Sequence, residues 1–239
     1  MSPIYVPGKV VLKKESVAAD PYYNNVSLLL HGDGANGSTT IVDSSPTPKT
    51  VTAFGDAQIS TAQSKFGGSS IAFDGSGDYV SIADSADFAF GSGNFTIEFW
   101  VYPVDSIQRL IASHGNAALP GTAWDFTRSS YGPVLFNWYN TGISGSIQSP
   151  PITTNAWAHV ALVRNGNSFV LYANGIGGST ATSSGPLYDP SSAVDIGRLV
   201  GVGNAFNGYI DDLRITKGIA RYTSNFTPPT APFPDIESR

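Results

Sequence analysis

Residues 94–103 read NFTIEFWVYP, and this stretch decides the fold. Phe95, Ile97, Phe99 and Val101 occupy alternate positions, with polar or aromatic residues between them. Since successive side chains of a strand point to opposite faces, a period of two predicts a β-strand that turns one face toward a core.

Short runs of the same kind occur on both sides of this stretch, and turn-forming Gly, Pro, Asn, Asp and Ser residues separate them. Many short strands joined by such turns are typical of a β-sandwich or a barrel. The further candidate strands are VSLLLHG (26–32), SSIAFDG (69–75), DYVSIA (78–83), RLIASHG (109–115), AWDFTR (123–128), PVLFNWY (133–139), WAHVALVRNG (157–166), NSFVLYANG (167–175), AVDIGR (193–198) and GYIDDLRI (208–215).

Two of the connections have the composition of tight turns. Gly75–Ser76–Gly77 predicts a hairpin between SSIAFDG and DYVSIA. Asn165–Gly166 predicts a second hairpin, because Asn-Gly favours the positive φ of a type I′ turn. The segment KGIARYTSNF (217–226) is compatible with one short helical turn, and no longer segment has helical periodicity.

The composition excludes several classes of protein. Of 239 residues, 41 % are apolar, which is enough for a core, and only 13 % are charged. A net charge of −5 without a basic run argues against nucleic acid as a partner. The apolar runs are too short for membrane insertion. There is no cysteine, which excludes disulfides, a thiolate nucleophile and a sulfur-based zinc site.

The two ends of the chain differ from its middle. Residues 1–23 and the Pro-rich segment 228–239 have the composition of extended terminal arms, because proline blocks ladder pairing. We therefore expect an N-terminal arm, one β-sandwich domain over 24–227 and a C-terminal tail. The first 20 residues contain no apolar signal-peptide region, so we expect synthesis in a cytoplasm without export through the usual secretion route.

Five motifs in this order resemble the laminin-G-like, concanavalin A-like lectin/glucanase superfamily, as found in bacteriophage structural proteins and in large microbial surface proteins. The resemblance covers roughly residues 24–230 and implies an all-β, antiparallel jelly-roll sandwich. The motifs are SLLLHGDG (27–34), FGGSSIAFDGSGDYVSI (66–82), NFTIEFWVYP (94–103), WAHVALVRNGNSFVLYANG (157–175) and FNGYIDDLRITKGIARYTSNFTPPT (206–230).

The resemblance also gives a hypothesis for two adjacent acids, Asp211 and Asp212, inside a predicted strand. Many relatives hold one Ca²⁺ near a sheet edge with ligands from the start and the end of the domain. Here that implies a calcium site of Asp33 and Asp211, since first and last strands of a jelly roll are commonly neighbours. The alternative is structural: an inward Asp accepts backbone N–H bonds or pairs with Arg214, Lys217 or Arg221. The segment DGSGD (74–78) is interpreted as a turn.

Catalytic residues are not expected. A glycosidase needs two carboxylates on either side of the scissile bond. Of the glutamates, Glu15 and Glu237 lie in the predicted arms, and Glu98 is alone on its strand. An Asp-based pair stays open, although no spacing indicates one. The histidines lie in separate predicted strands, and no nucleophile motif accompanies them.

Aromatic residues near loops and strand ends are candidates for glycan binding, because a sugar presents an apolar face and a polar rim. Trp138 and Tyr139 are adjacent, so one of them faces away from the core. The candidates are Trp124, Tyr131, Trp138, Tyr139 and Tyr188.

These observations favour a non-enzymatic structural protein at the surface of a bacteriophage virion, such as a capsid-decorating, fibre or tail-associated subunit. Its expected partners are other virion proteins or further copies of itself in a homo-oligomer, held by the extended arms, together with host-surface glycans. Two alternatives remain: a lectin-like module of a microbial surface protein and, less favoured, a glycoside hydrolase. Apart from calcium, no cofactor is expected.

Overall fold

A computed structural model describes residues 4–6, 9–11, 19–115, 122–139 and 144–236. Two single-turn 3-10 helices, Tyr23–Asn25 and Ala86–Phe88, accompany the strands. The strands are β1 Ile4–Val6, β2 Lys9–Val11, β3 Val26–Leu30, β4 Val51–Phe54, β5 Gln58–Ser60, β6 Ser70–Asp74, β7 Tyr79–Ile82, β8 Phe95–Pro103, β9 Arg109–Gly115, β10 Thr122–Arg128, β11 Pro133–Tyr139, β12 Ser144–Pro151, β13 Ala158–Asn165, β14 Ser168–Ala173, β15 Ile176–Thr182, β16 Val194–Ile196 and β17 Asn207–Lys217.

Two antiparallel sheets form the domain. One has seven strands in the order β12-β11-β10-β9-β16-β7-β4. The other has eight, in the order β15-β14-β13-β8-β17-β6-β5, with β3 pairing with β17. This confirms the predicted all-β jelly-roll sandwich, including the expected neighbourhood of the first and last strands of the domain.

The core lies between the two sheets and is rich in aromatic side chains. Phe99 of β8 meets Phe126 of β10 edge to face, with ring centroids 5.3 Å apart. Trp138 of β11 stacks on Phe169 of β14 at 5.0 Å. Each pair joins one sheet to the other, and such contacts add to the free energy gained by burying apolar area.

The alternation in NFTIEFWVYP is confirmed, because Phe95, Ile97, Phe99 and Val101 all lie in the core. The Asn165–Gly166 hairpin is also confirmed, with Asn165 opposite Ser168 in the β13–β14 ladder.

The hairpin predicted at Gly75–Ser76–Gly77 is wrong, because β6 and β7 belong to different sheets. The segment instead crosses from one layer to the other. The buried Asp78 holds it by accepting hydrogen bonds from the backbone N–H groups of Asp74 and Asp56, at 2.8 and 2.6 Å.

The segment after β17 runs over the outer face of the eight-stranded sheet. It forms no helical turn at 217–226, so that prediction is wrong. Tyr222 and Phe226 pack on the outer-face cluster of Ala161 and Tyr172. Phe233, within the predicted C-terminal tail, is only 3 % exposed. Nowhere in the described residues is there a helix of sufficient length and apolarity to span a bilayer.

Candidate functional site

The adjacent acids Asp211 and Asp212 lie at a β-bulge in β17. Opposite β8, Asp211 pairs with Trp100 and Arg214 with Glu98, so two residues of β17 face one of β8. Asp212 has φ 48°, the left-handed conformation that aspartate tolerates better than most residues. Because the bulge interrupts the alternation of side chains, both carboxylates are buried, each 1 % exposed.

Each of these carboxylates has its own partners. Asp212 Oδ1 lies 2.7 Å from His31 Nδ1, and Asp212 Oδ2 accepts the Phe233 N–H at 2.8 Å. Burial lowers the pKa of His31, but the hydrogen bond and charge of Asp212 outweigh it, and the net shift is upward. Asp212 therefore links the start of the domain to its C-terminal segment.

Asp211 is the less satisfied of the two acids. Its Oδ2 accepts the N–H groups of Lys65 and Phe66 at 2.7 and 3.1 Å. Its Oδ1 is buried without a hydrogen-bond partner among the described residues. Burial, with further contributions from the charges of Asp212 and Asp33, raises the pKa of Asp211 to about 7.

Asp33 is exposed and lies beside the same segment. Its carboxylate lies against Gly67, so close that any side chain at Gly67 would collide with it. The structure thus brings both Asp33 and Asp211 into contact with residues 65–67 and leaves one carboxylate oxygen of Asp211 without a partner among the described residues. That arrangement fits a hard cation, which carboxylate oxygens prefer to bind.

The outer face of the eight-stranded sheet holds a buried ionic network, called here the covered face (Asp20, Glu98, Arg214, Arg221 and Tyr222). Arg214 donates to Glu98 Oε1 through Nε at 3.0 Å and Nη2 at 2.7 Å, and to Asp20 Oδ2 through Nη1 at 3.1 Å. Arg221 donates twice to Asp20, at 3.0 and 2.7 Å. The Tyr222 hydroxyl donates to Glu98 Oε2 at 2.8 Å.

The network sets the charge state of Glu98, which is fully buried. Burial alone raises the pKa of a carboxyl, but Arg214, His159 and Arg221 outweigh it and hold the pKa of Glu98 well below its usual range. The isolated glutamate of the sequence is therefore a structural anion with its own counterions.

The outer face of the seven-stranded sheet has a different character. The ladder pairings align one polar residue from each strand in a row across the sheet. From one edge to the other the row is Ser146, Asn137, Asp125, Ser113, Asp195, Ser81 and Thr52. The segment after β16 covers part of this row, because Ser113 Oγ donates to the Arg198 carbonyl and Arg198 Nε to Asp195, both at 2.8 Å.

Beyond that cover, five residues form the Tyr139 patch: Asp125, Asn137, Tyr139, Ser146 and Tyr188. Asn137 Nδ2 donates to Asp125 Oδ1 at 2.8 Å. Tyr139 follows two positions later on the same face and is half-buried. The Tyr188 N–H donates to the Tyr139 carbonyl at 2.9 Å, which fixes a second half-buried tyrosine beside the first.

Within the patch, the charge of Asp125 acts on Tyr139. Burial raises the pKa of Asp125, and its hydrogen bonds from Asn137 and Thr127 only partly offset this. Burial also raises the pKa of Tyr139, and the nearby Asp125 charge adds to the shift. The patch therefore combines the half-buried Tyr139 and Asn137 with the carboxylate of Asp125, which is only 3 % exposed and accepts a hydrogen bond from Asn137.

The structure separates the aromatic residues that the sequence indicated. Trp124 and Trp138 lie in the core, 1 % and 3 % exposed, so neither of them forms part of the outer surface. Tyr139 is the outward member of the Trp138–Tyr139 pair. Tyr131 is 90 % exposed but lies in the β10–β11 turn, at the other end of β11 and roughly 20 Å from Tyr139.

Asp125 and Asn137 were missed by the sequence reasoning. The signal was present, because Asp125 alternates with the core residues Trp124 and Phe126, and Asn137 with Phe136 and Trp138. Alternation on two strands predicts an outward polar pair, but only the ladder shows that the two residues are opposite each other.

The solved structures that resemble this chain include binding domains of toxins. The binding domain of Paraclostridial Mosquitocidal Protein 1 aligns with a TM-score of 0.65 and 18 % identity over 83 % of this chain and 50 % of that one. A structure titled "Cell entry of botulinum neurotoxin type C is dependent upon interaction with two ganglioside molecules" aligns with a TM-score of 0.61 and 18 % identity over 83 % and 49 %.

A third, the binding domain of botulinum neurotoxin DC in complex with SialylT, aligns with a TM-score of 0.60 and 15 % identity over 83 % of this chain and 49 % of that one. The chain thus spans about half the length of these solved chains. At such identities the likeness shows the fold alone.

No curated protein matches the chain in sequence. The Laminin_G_3 family, described as the concanavalin A-like lectin/glucanases superfamily, matches residues 74–220, which is more than half of the chain. The protein therefore belongs to the concanavalin A-like lectin/glucanases superfamily.

Proposed function

We propose that the protein is a glycan-binding module and that the Tyr139 patch is its binding surface. The observation that carries this is the position of Tyr139, a half-buried ring beside the amide of Asn137 and the carboxylate of Asp125. A tyrosine ring packs on the apolar face of a sugar, while amide and carboxylate groups bind its hydroxyls. One of the similar solved structures is titled for the interaction of botulinum neurotoxin type C with two ganglioside molecules, and this chain covers 49 % of that chain.

A glycan array followed by calorimetry on the best hit tests this proposal. Tyr139→Ala should weaken binding at least about tenfold, because stacked area is lost, and Asn137→Ala should weaken it by a smaller factor. Tyr131→Ala is the matched control, because that tyrosine is 90 % exposed at the other end of β11. Unchanged affinity in Tyr139→Ala, or an equal loss in Tyr131→Ala, would move the site elsewhere.

We propose further that binding proceeds without hydrolysis. The outer face of the seven-stranded sheet carries two buried acids, Asp125 and Asp195, and the strand that contains Ser113 lies between them. Two strand spacings separate their backbones by about 9.6 Å, and each acid is already hydrogen-bonded, to Asn137 or to Arg198. Release of reducing sugar from a polysaccharide panel, abolished by Asp125→Asn, would contradict this.

A calcium ion at Asp33 and Asp211 is also proposed. The support is the orphaned Asp211 Oδ1 together with the exposed Asp33, whose charge is close enough to contribute to the raised pKa of Asp211. A cation that binds only the folded state raises the melting temperature. We expect CaCl₂ to raise the Tm of chelator-treated protein and Asp33→Asn to remove that shift without lowering the Tm in EDTA; an equal shift in Asp33→Asn contradicts the site.

For its biological setting we propose the surface of a bacteriophage particle, in contact with other virion proteins or with further copies of itself. The support is the sequence, namely the absence of cysteine, the low charge and the phage-type terminal motif FTPPTAPFP. Mass spectrometry of purified particles tests this, and a protein found only in the host envelope would contradict it.

A further inference from the structure

His114 is a buried histidine whose ring reaches the loop end of the sandwich. It lies at the end of β9, is 1 % exposed, and packs between Phe88 and Trp124, with ring centroids 6.1 Å away in each case. Its Nε2 lies 3.0 Å from the Ser192 carbonyl oxygen and 3.6 Å from Asp84 Oδ1. His114 belongs neither to the Tyr139 patch nor to the proposed calcium site.

A second carboxylate completes the group. Asp189 joins Asp84 and His114, and one ligand atom of each lies within 4.8 Å of the others. Both aspartates are exposed, whereas the imidazole is buried. The buried imidazole of His114 therefore lies next to two carboxylates that are exposed to solvent.

The two ring nitrogens of His114 have different surroundings. Nε2 lies 3.0 Å from the Ser192 carbonyl oxygen and 3.6 Å from Asp84 Oδ1, whereas Nδ1 is buried without a hydrogen-bond partner in the described part of the chain. With the proton on Nε2, the ring donates to the Ser192 carbonyl. With the proton on Nδ1, the Nε2 lone pair is available to coordinate a cation that the nearby carboxylates attract.

We propose that Asp84, His114 and Asp189 hold a divalent transition-metal ion, with the Ser192 carbonyl oxygen as a fourth ligand. Bonds of about 2.0–2.2 Å place neighbouring ligand atoms about 3.0–3.6 Å apart, as found for the Nε2 distances. Calcium takes oxygen ligands, whereas an imidazole suits zinc and carboxylates suit manganese. Mn²⁺ and Zn²⁺ are therefore the ions of choice.

The site would connect three segments that are distant in sequence. Asp84 follows β7, His114 ends β9, and Asp189 and Ser192 precede β16. Asp189 also directly follows Tyr188 of the Tyr139 patch. The ion would thus fix the loop end of the seven-stranded sheet.

Calorimetric titration of the EDTA-treated full chain with MnCl₂ or ZnCl₂ alone tests the site without any glycan. We expect one ion per chain and a raised Tm. Asp84→Asn and Asp189→Asn should each weaken binding at least about tenfold. With Mn²⁺ bound, pulsed electron spin resonance should show modulation from one directly bound ¹⁴N, which is lost in His114→Ala.

Because His114 is buried, His114→Ala can fail to fold, and the two exposed aspartate variants then decide the matter. The matched control is Asp56→Asn, in the acid-only group of Asp56, Asp74 and Asp78. It should leave the affinity unchanged. Absence of binding, unchanged affinity in both Asp84→Asn and Asp189→Asn, or loss of binding in Asp56→Asn would overturn the proposal.

Discussion

The two outer faces of the sandwich carry polar side chains in opposite states. On the covered face, Glu98 has Arg214 and Tyr222 as partners from its own chain, and every one of these groups is used internally. On the seven-stranded sheet, Asn137 and Tyr139 are half-buried and remain accessible. The covered face thus uses its polar groups within the fold, whereas on the Tyr139 patch Asn137 and Tyr139 stay partly open to solvent.

The difference follows from where the chain runs. The segment after β17 lies over the eight-stranded sheet, where Phe233 packs on Val26 and Leu29. The Arg214 guanidinium lies 3.8 Å over the Phe233 ring, which excludes water from the ion pair. A face whose charges are neutralised and dry is suited to stability, and for this reason we propose glycan binding on the other face.

Arg214→Ala should have the largest effect. It removes the guanidinium that donates twice to the buried Glu98 and once to Asp20, and Arg221 remains hydrogen-bonded only to Asp20 of these two acids. We expect the loss at Glu98 to cost about 3–5 kcal/mol of unfolding free energy. Urea denaturation measures this.

The matched control is Asp87→Asn, because Asp87 pairs with Lys49 but its side chain is 45 % exposed. That change should cost less than about 1 kcal/mol. Equal losses in the two variants would mean that the covered face contributes no more than a surface ion pair.

The second largest effect should be a loss of stability in acid, where the carboxyls of the covered face become protonated. The pKa of Asp20, like that of Glu98, is lowered: burial opposes the shift, but hydrogen bonds from Arg221 and the Tyr22 N–H outweigh it. A carboxyl with a depressed folded-state pKa stabilises the fold above its unfolded pKa, near 4, and this stability is lost as the pH falls. Each group should contribute a slope of about 1.4 kcal/mol per pH unit.

Urea denaturation at successive pH values below about 4, in EDTA, measures that slope. Glu98→Gln should reduce the slope of unfolding free energy against pH by the contribution of one titrating group, about 1.4 kcal/mol per pH unit. Asp211 acts with the opposite sign: its pKa is raised to about 7, so its effect falls between about pH 4 and pH 7, above this window. Parallel acid curves for the native protein and Glu98→Gln would show that Glu98 does not titrate with unfolding.

The strands could be predicted from sequence because their signal is local, as the alternation from Phe95 to Val101 shows. The false hairpin at Gly75–Ser76–Gly77 shows the limit of that signal. Turn residues encode positive φ, here 85° at Gly75 and 81° at Gly77, but not whether the next strand joins the same sheet.

Contacts between residues far apart in the chain could not be predicted either, because the sequence signal is local. Asp20 and Arg214 are separated by 194 residues, and no local pattern predicts that they meet. Asp212 could not be placed either, because the bulge depends on the β8–β17 pairing rather than on aspartate's own preference. By contrast, adjacency alone predicted that one of Trp138 and Tyr139 faces outward, and the structure shows that it is Tyr139.

The smallest expected effects on stability come from removing one tyrosine hydroxyl on each face. Tyr222→Phe removes a buried hydrogen bond to the ionised Glu98 and should cost about 1.5–3 kcal/mol. Tyr139→Phe removes a half-exposed hydroxyl and should change stability by less than about 0.5 kcal/mol. For glycan affinity the order should reverse, with Tyr139→Phe weaker than the native protein and Tyr222→Phe unchanged. Denaturation and calorimetry on the same two proteins measure both quantities, and a stability loss that is equal on the two faces would mean that their division of roles is wrong.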